Sequence, residues 1–362
     1  MDSINAAEII GIPVVIPSFE PDEQLVQLCE SLIRIGICDI CIVDDGSGDS
    51  FQPIFDTIKK KYSKNGIAVL HHDVNRGKGR ALKTAFRELL DHRTGLIGCV
   101  TADSDGQHTP EDIFRCMREL AEHSDSLIMG CRRFDGKDVP AKSRFGNELT
   151  RKVCRYVCGV DVSDTQTGLR GIPSFFMQEL LDVPGERFEF ETRMLVACRD
   201  KIPIVEVPIE TVYDSKEHHR THFDPIMDSL RIYRIFGAMF LRYIFSAISS
   251  CVLDLLLFAL LCRALRGRGG TAYILAATVI ARVSSATYNY LINYRFVFQS
   301  QKSRSGTAVR YASLALVQMS ASALLVTGGV LLLPGFPETL IKVAVDTVLF
   351  FISYYLQRKL IF

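Results

Sequence analysis

The sequence predicts an α/β domain with a mostly parallel sheet, followed by an all-α domain that spans a membrane. In the first part, short β-branched runs alternate with stretches of helical periodicity, which is the pattern of parallel sheets covered by helices on both faces. In the second part, residues 311–337 contain no charged side chain, and this stretch is longer than the ~20 residues that cross a bilayer. A purely soluble protein is therefore excluded.

The charges place the boundary between the two parts near residue 239. Residues 239–362 hold 12 basic and 3 acidic side chains, and the preceding residues hold 30 basic and 38 acidic ones, so the net charge of +1 conceals an acidic front and a basic back. The amino-terminal MDSINAAEII lacks the basic region and cleavage site of a signal peptide, so we expect the first part in the cytosol. Cys38 and Cys41 form a CxxC, but without a second pair at zinc spacing they indicate a buried strand.

The elements of the first part follow from local patterns. Helices are expected after Pro21, from Ala81 and from Pro110, because apolar residues recur there on one helical face, and Gly36 ends the first of them. Strands are expected at 12–16, 40–43, 67–70, 96–100 and 126–129.

Polar residues stand just past these strands, and ligands of such sheets bind at the carboxyl ends of the strands. Mixed acids and bases at one edge indicate a nucleotide-like ligand with a metal, and solvated loops are the alternative. The residues are Ser18, Glu20, Asp44, Asp45, Asn75, Asp103, Asp105, Arg132 and Arg133.

The segment TADSDGQH (101–108) predicts a metal site. Extended spacing puts Asp103, Asp105 and Gln107 on one side of the backbone, and two carboxylates with an amide oxygen suit Mg²⁺ or Mn²⁺ shared with a diphosphate. An acidic turn that caps the next helix is the alternative.

The segment NRGKGRALKTAF (75–86) combines glycines with basic residues at a helix start. Gly77 and Gly79 are expected to let the backbone approach a ligand, and Lys78 and Arg80 suit a negative charge. A tight turn with a solvated basic face is nearly as compatible with this pattern.

Seven segments occur in the order of a known family: PVVIPSFEPDE (13–23), CIVDDGS (41–47), NRGKGRA (75–81), TADSDGQHTPED (101–112), GCRR (130–133), DTQTGLRGI (164–172) and RFEFETRML (187–195). Together they resemble family 2 glycosyltransferases of the dolichol-phosphate mannosyltransferase or bactoprenol glucosyltransferase type. Processive polymer synthases of that family need a tryptophan in QxxRW, and this chain has no tryptophan.

The resemblance implies a GT-A fold, inverting transfer, and an NDP-sugar donor of the UDP-glucose or GDP-mannose type. SFE stands at 18–20 where the family more commonly has YNE. The implied nucleoside diphosphate contacts are Pro17, Ser18, Glu20, Asp44, Asp45 and Lys78; the metal ligands are Asp103, Asp105 and Gln107; and Arg132, Asp164 and Arg170 lie near the sugar and acceptor phosphate, with Asp105 among the catalytic residues.

The loop EHHRTHF (217–223) offers three histidines, but adjacent ligands do not fit zinc spacing. By the resemblance, this loop is a flap over the diphosphate, and Arg220 and His222 are its candidate phosphate ligands.

The second part predicts two similar hairpins of membrane helix. LRYIFSAISSCVLDLLLFALL begins like VRYASLALVQMSASALLV, and YLINYRFVF (290–298) parallels YLQRKLIF (355–362); this region resembles a GtrA-type domain. Arg282 and Asp346 hold equivalent positions of the repeat, so we expect them to face each other, with Asp254 as the next candidate partner for Arg282. The expected spans are about 241–262, 271–294, 311–333 and 338–357.

The expected domains are 1–222 for the enzyme, 223–240 for an interfacial linker helix, with a soluble connector as the alternative, and 241–362 for the membrane part. Basic residues flank the inner ends of the spans more often than the outer ends, which predicts a multi-pass protein of the cell membrane with its enzyme and both termini in the cytoplasm.

The expected function is transfer of a hexose from an NDP-sugar to polyprenyl phosphate, in cell envelope polysaccharide biosynthesis. The membrane domain would anchor the enzyme and aid translocation of the lipid-linked sugar. The bilayer is a further expected partner, nucleic acid is not, and a homo-oligomer stays open. The alternative is a transporter or flippase whose front domain only binds nucleotide sugar or docks lipid.

Overall fold

The computed structural model describes residues 9, 11–62, 66–132, 141–199, 201–210, 227–265, 272–300, 302–333 and 335–362, without the side chains of 141–145, 272 and 275. The chain divides into two compact units, Met1–Ile235 and Phe236–Phe362.

The first unit is built on a seven-stranded sheet with the order β3-β2-β1-β4-β6-β5-β7. Its strands are β1 (Val14–Ser18), β2 (Ile40–Asp44), β3 (Ile67–His71), β4 (Gly98–Thr101), β5 (Leu127–Arg132), β6 (Arg170–Pro173) and β7 (Ile204–Ile209). Only β6 runs antiparallel, to β4 and β5. The predicted α/β class with a mostly parallel sheet, as in a GT-A fold, is confirmed.

The helices of this unit are α1 (Glu23–Arg34), α2 (Gln52–Tyr62), α3 (Lys78–His92), α4 (Pro110–Glu122), α5 (Ala141–Val153), α6 (Ser174–Leu180) and α7 (Glu189–Cys198). Side chains at the caps explain two of the starts. Asp22 accepts the backbone N–H of Gln24, and Thr109 accepts that of Asp112 just before Pro110.

β1 lies near the centre of the sheet, and all five of its residues are buried. Leu25 and Leu32 of α1 and Ile113 and Leu120 of α4 join one core cluster with the strands, whereas α3 contacts β1 and β2 together with α6 and α7. This arrangement places the carboxyl ends of β1, β2, β4 and β5 at the same edge of the sheet.

β6 and β7 were not among the predicted strands. β6 has four residues, which include a buried arginine, a glycine and a proline, so it lacks the apolar run that predicts a strand. β7 carries Glu206 and Pro208 within six residues.

The remaining helices are α8 (Met227–Leu265), α9 (Ala272–Ile292), α10 (Arg304–Leu332) and α11 (Glu338–Leu356). The predicted interfacial helix and the first predicted span form one unbroken helix, α8, from Met227 onward. Among the described residues, three helical stretches are long and apolar enough to cross a membrane: Met227–Leu265, Arg304–Leu332 and Glu338–Ile361. α9 contains Arg282 together with Ser, Tyr and Asn side chains, and its assignment as a span stays a prediction.

The second unit has an internal two-fold repeat that the side-chain contacts reproduce. π-helical turns follow α9 at Asn293–Val297 and α11 at Gln357–Ile361. The first residues of these turns, 64 positions apart, are hydrogen-bonded to each other at 2.9 Å. Phe298 and Phe362, which follow the two turns, stack with ring centroids 5.1 Å apart.

Three further pairs of ring contacts match across this repeat. The centroid distance of Phe298 to Tyr354 is 5.7 Å, and that of Phe362 to Tyr290 is 5.9 Å. Tyr243 lies 4.9 Å from Tyr354 and 6.1 Å from Phe298, and the equivalent Tyr311 lies 5.5 Å from Tyr290 and 6.3 Å from Phe362. The two hairpins are therefore related by an approximate two-fold axis through the Asn293–Gln357 and Phe298–Phe362 contacts.

The prediction that Arg282 and Asp346 face each other is wrong. Arg282 Nη2 lies 3.4 Å from Asp254 Oδ2, whereas Asp346 accepts from Ser322 Oγ at 2.6 Å and from Lys342 Nζ at 2.8 Å. Arg282 and Asp346 thus occupy equivalent places in the two hairpins. Each of the two residues contacts the first helix of its own hairpin.

Neutralising one member of the Asp254–Arg282 pair should lower the amount of folded protein in membranes more than neutralising both, since each change alone leaves one unpaired charge in an apolar surrounding. Fluorescence-detected size exclusion of Asp254→Leu, Arg282→Leu and the double variant measures this. The control is Arg282→Leu with Asp346→Leu, whose losses should add. If the double Asp254/Arg282 variant loses as much folded protein as the two single variants lose together, the pairing is refuted.

Candidate functional site

A cavity of about 540 Å³ lies at the carboxyl edge of the sheet. It collects residues from the ends of β1, β2, β4 and β5, from the start of α3, and from the segment that leads into α7. Its lining includes Pro17, Ser18, Asp45, Asn75, Gly77, Lys78, Asp103, Asp105, Gln107, Arg132, Thr165, Gln166, Arg187, Phe188, Glu191 and Thr192.

Lys78 connects two acids inside this cavity. Its ammonium lies 2.6 Å from Asp103 Oδ1 and 3.0 Å from Glu191 Oε1, and Asp103 Oδ2 lies 3.5 Å from His108 Nε2. Burial acts to lower the pKa of Lys78, yet the charges of Asp103 and Glu191 raise it above its ordinary value. Burial acts to raise the pKa of Asp103, but Lys78 and His108 hold it below its usual range. Lys78 therefore stays charged beside the ionised carboxylate of Asp103.

Asp103, Asp105 and Gln107 all line the cavity, as the metal prediction requires. Burial and the neighbouring charge of Asp103 raise the pKa of Asp105, so the two carboxylates repel each other when both are ionised. A divalent cation between hard oxygen ligands relieves such repulsion, and this donor set suits Mg²⁺ or Mn²⁺. The residues present therefore fit the predicted metal.

Gly168 makes room for the Asp103 carboxylate. A Cβ atom at this glycine would lie 2.3 Å from Asp103 Oδ2, and the Gly168 carbonyl accepts a hydrogen bond from Thr101 Oγ1 at 2.7 Å. The TGLRG part of the sixth family segment thus shapes the acidic end of the cavity, a role that the sequence pattern alone did not reveal.

Asp44 and Asp45, predicted together, are placed differently. Asp44 is outside the cavity lining, and it accepts from Ser47 N at 2.8 Å and Gln52 Nε2 at 3.0 Å. Asp45 lines the cavity and accepts the backbone N–H groups of Arg76 at 3.0 Å and Gly77 at 2.7 Å. Asp44 therefore shapes the loop after β2, and Asp45 holds the loop that leads into α3.

Behind Asp45 lies a buried histidine that the sequence analysis did not single out. His72 Nδ1 lies 2.8 Å from Asp45 Oδ1, and its Nε2 lies 2.9 Å from Thr84 Oγ1. These contacts fix the orientation of the Asp45 carboxylate, and neither His72 nor Thr84 lines the cavity.

Among the residues that the structure describes, Ser18 Oγ and Asn75 Oδ1 of the lining are buried and find no hydrogen-bond partner. Such atoms need a partner, which a polar ligand can supply. Pro17 lies beside them in the lining, whereas Glu20 is exposed and outside it. Glu20 adopts a φ of +48°, and its N–H donates to Ser47 Oγ at 2.8 Å.

Arg132 lines the cavity and is held by a fully buried acid. Its Nε and Nη2 lie 2.6 and 3.1 Å from the two carboxylate oxygens of Asp164. Asp164 also accepts the N–H of Gln166 at 3.0 Å, and it does not itself line the cavity. Its carboxylate is thus committed to orienting Arg132 and the adjoining loop.

Arg170 is outside the cavity lining and 1% exposed. It donates to the backbone carbonyls of Thr167 at 3.0 Å and Glu191 at 2.7 Å. These hydrogen bonds hold α7 against the loop before β6, and the place of Arg170 near the sugar and the acceptor phosphate stays a prediction.

Gly77 and Gly79 pack closely against the segment before α7, and Gly77 also lines the cavity, so the expected approach of its backbone to a ligand stays a prediction. A Cβ at Gly77, where φ is +99°, would lie 2.5 Å from the Glu186 carbonyl oxygen, and one at Gly79 would lie 2.6 Å from Phe190 Cβ. The segment 185–190 therefore lies directly against the start of α3, where Arg80 N donates to the Glu186 carbonyl at 2.9 Å.

The segment 187–192 supplies residues to which the sequence analysis gave no role. Arg187, Phe188, Glu191 and Thr192 line the cavity. Their signal was present in RFEFETRML, but the segment has no strand end or glycine-rich turn that would mark it as part of a site. Arg133, Arg220 and His222 lie outside the described residues.

Gly79→Ala should destabilise the first unit, because overpacking costs about 1–3 kcal/mol and the gain in helix propensity offsets at most about 1 kcal/mol. The clash is with the backbone and a Cβ atom, which cannot rotate away. The thermal unfolding midpoint measures this. Gly48→Ala is the matched control, since its Cβ would meet nothing within 4 Å. Equal midpoints for both variants would contradict the packing role.

Comparison with protein families divides the chain at nearly the same place as its two compact units. Residues 14–180 match Glycosyl transferase family 2, and residues 238–362 match the GtrA/DPMS transmembrane domain.

Two relatives and one solved structure are similar to this chain. The UDP-N-acetylglucosamine--dolichyl-phosphate N-acetylglucosaminyltransferase of Methanococcus voltae is 26% identical, over 56% of this chain and 86% of that protein. The polyprenol monophosphomannose synthase of Mycolicibacterium smegmatis is 27% identical, over 47% of this chain and 65% of that protein. A Pyrobaculum calidifontis mannosyltransferase, solved with GDP-Man and Mn²⁺, aligns with a TM-score of 0.40 and 14% identity over 96% of this chain and 86% of that chain.

The family segments, the cavity that they line and the two matches lead to one conclusion: the chain carries a glycosyl transferase family 2 domain followed by a GtrA/DPMS transmembrane domain, and it is a glycosyltransferase.

Proposed function

We propose that the protein transfers a hexose from an NDP-sugar to polyprenyl phosphate at the cytosolic face of a membrane, with inversion at the sugar. The observation that carries this proposal is the cavity in which Asp103, Asp105 and Gln107 lie together with Lys78 and Arg132. Oxygen ligands for a cation beside basic groups suit a nucleoside diphosphate. The names of two relatives, which specify dolichyl phosphate and polyprenol, support the lipid phosphate as acceptor.

The donor would bind across the cavity from the β1 end to the β4 loop. Ser18 and Asn75 offer the unpartnered atoms for the nucleoside, and Asp45 holds the loop on which Asn75 lies. Asp103, Asp105 and Gln107 would hold Mg²⁺ or Mn²⁺. When bound, the cation supplies charge stabilisation for the departing diphosphate.

Lys78 and Arg132 supply positive charge to this reaction. Lys78 is held at the cavity between two acids, and Arg132 is oriented by Asp164. Both are already placed before a ligand enters, so little reorganisation is needed as negative charge develops. Asp164 and Arg170 act as positioning residues in this proposal, and Arg220 and His222 remain proposed phosphate contacts.

The acceptor needs little help from a base. A phosphate monoester is already anionic near neutral pH, so its oxygen attacks without losing a proton to a strong base. Asp164, which hydrogen bonds to Arg132 and Gln166, is accordingly not required to remove one.

The membrane unit would hold the enzyme where its lipid acceptor is found. Three apolar helices and the GtrA/DPMS match support a multi-pass arrangement, and the excess of basic residues at the predicted inner ends supports a cytoplasmic enzyme with both termini inside. A further part in translocating the lipid-linked sugar is included in the proposal.

Asp105→Asn should abolish transfer while leaving the fold intact, because it weakens one metal ligand without changing its size. The assay incubates membranes that contain the protein with radiolabelled NDP-sugars, Mn²⁺ and undecaprenyl phosphate, and counts chloroform-soluble product.

Asp56→Asn, on the exposed face of α2, is the matched control and should retain full activity. Metal-dependent turnover that persists in Asp105→Asn would remove the metal assignment. Absence of lipid-linked product from every donor with the unaltered protein would remove the proposed acceptor.

A further inference from the structure

Three basic side chains line the cavity within the described part of the chain, and two of them already contact acids. Lys78 lies between Asp103 and Glu191, and Arg132 is bound by both oxygens of Asp164. An entering anion has to compete with these carboxylates for the two cations.

Arg187 is the third cation, and its guanidinium has no hydrogen-bond or acidic partner among the residues that the structure describes. The side chain is exposed at the rim of the cavity. Its five N–H donors form a planar fork that matches two oxygens of a phosphate group.

The base of this side chain is nevertheless held in place. The Glu189 carboxylate accepts the backbone N–H groups of Glu186 at 3.1 Å and Arg187 at 3.4 Å. The aliphatic stem of Arg187 packs on Gly77, where an added Cβ would lie 2.5 Å from Arg187 Cγ. Because the aliphatic part of the side chain is already held, Arg187 loses little conformational entropy when its guanidinium binds an anion.

The other charged groups of the cavity are mostly acidic, and they repel an entering phosphate. Asp45, Asp103, Asp105 and Glu191 all line the cavity, and both reactants of the proposed transfer carry phosphate. A cation that is not already neutralised is the group best able to hold one of those phosphates in such an acidic site.

We propose that Arg187 binds a phosphate group of the reactants in this cavity. The phosphate belongs either to the nucleoside diphosphate of the donor or to the monophosphate of the lipid acceptor, and the chemistry of recognition is the same. This inference rests on the proposed function.

The test uses the full-length protein in detergent with Arg187→Gln, Arg187→Lys and the matched control Arg87→Gln. Arg87 is exposed on α3 and is outside the cavity lining. The donor arm titrates GDP and UDP with Mn²⁺ by calorimetry. The acceptor arm measures the KM for undecaprenyl phosphate.

Arg187→Gln should either lower the nucleotide affinity or raise the KM for undecaprenyl phosphate by about 10- to 100-fold, the scale of a lost charge-assisted hydrogen bond. Arg187→Lys should cause a smaller change in the same quantity. Arg87→Gln should leave both within about twofold, as expected of a surface charge away from the site. A change in nucleotide affinity alone assigns the phosphate to the donor, and a change in KM alone assigns it to the acceptor.

Unchanged affinity and unchanged KM in Arg187→Gln would overturn the inference. If that variant does not fold, Arg187→Lys decides, because it keeps charge and stem but loses the planar fork; no change in either arm then overturns the proposal. If the unaltered protein binds nucleotide but transfers no sugar to lipid, the proposed function fails, while the donor arm still tests Arg187.

Discussion

The ammonium group of Lys78 lets two carboxylates from distant parts of the chain share one cavity. Asp103 follows β4 and Glu191 lies on α7, and each is within 3.0 Å of the lysine nitrogen. Without a cation beside it, burial would favour protonation of Asp103. The contact also requires the start of α3 to lie against the segment before α7, which two glycines permit. The geometry of the acidic end of the site thus follows from one ion pair network and the close packing beside it.

Sequence patterns predicted the sheet edge well, because strand ends are marked by apolar runs followed by polar residues. That rule and the family resemblance single out Asp103, Asp105, Gln107, Lys78 and Arg132, all of which line the cavity, while their roles stay predictions. The partners of each side chain were not predictable. The adjacent acids Asp44 and Asp45 have the same local pattern, and only the three-dimensional loop decides which of them lines the cavity. The buried guanidinium of Arg170 illustrates the same limit, since its carbonyl partners lie on other elements.

The membrane unit shows a related limit. The repeat correctly predicted that Arg282 and Asp346 are equivalent, but equivalence under a two-fold axis does not imply contact. Two equivalent residues contact each other only where they lie at the axis, as Asn293 with Gln357 and Phe298 with Phe362 do. Charges away from the axis find partners within their own hairpin.

That axis relates two hairpins whose side chains differ, and covalent linkage is what allows the difference. A symmetric dimer of one hairpin would place identical polar groups in both halves. In this chain one half holds an aspartate with an arginine, and the other holds a serine with an aspartate and a lysine. Because both halves belong to one chain, each half can carry its own charges, while the axial contacts preserve the shape that both halves share.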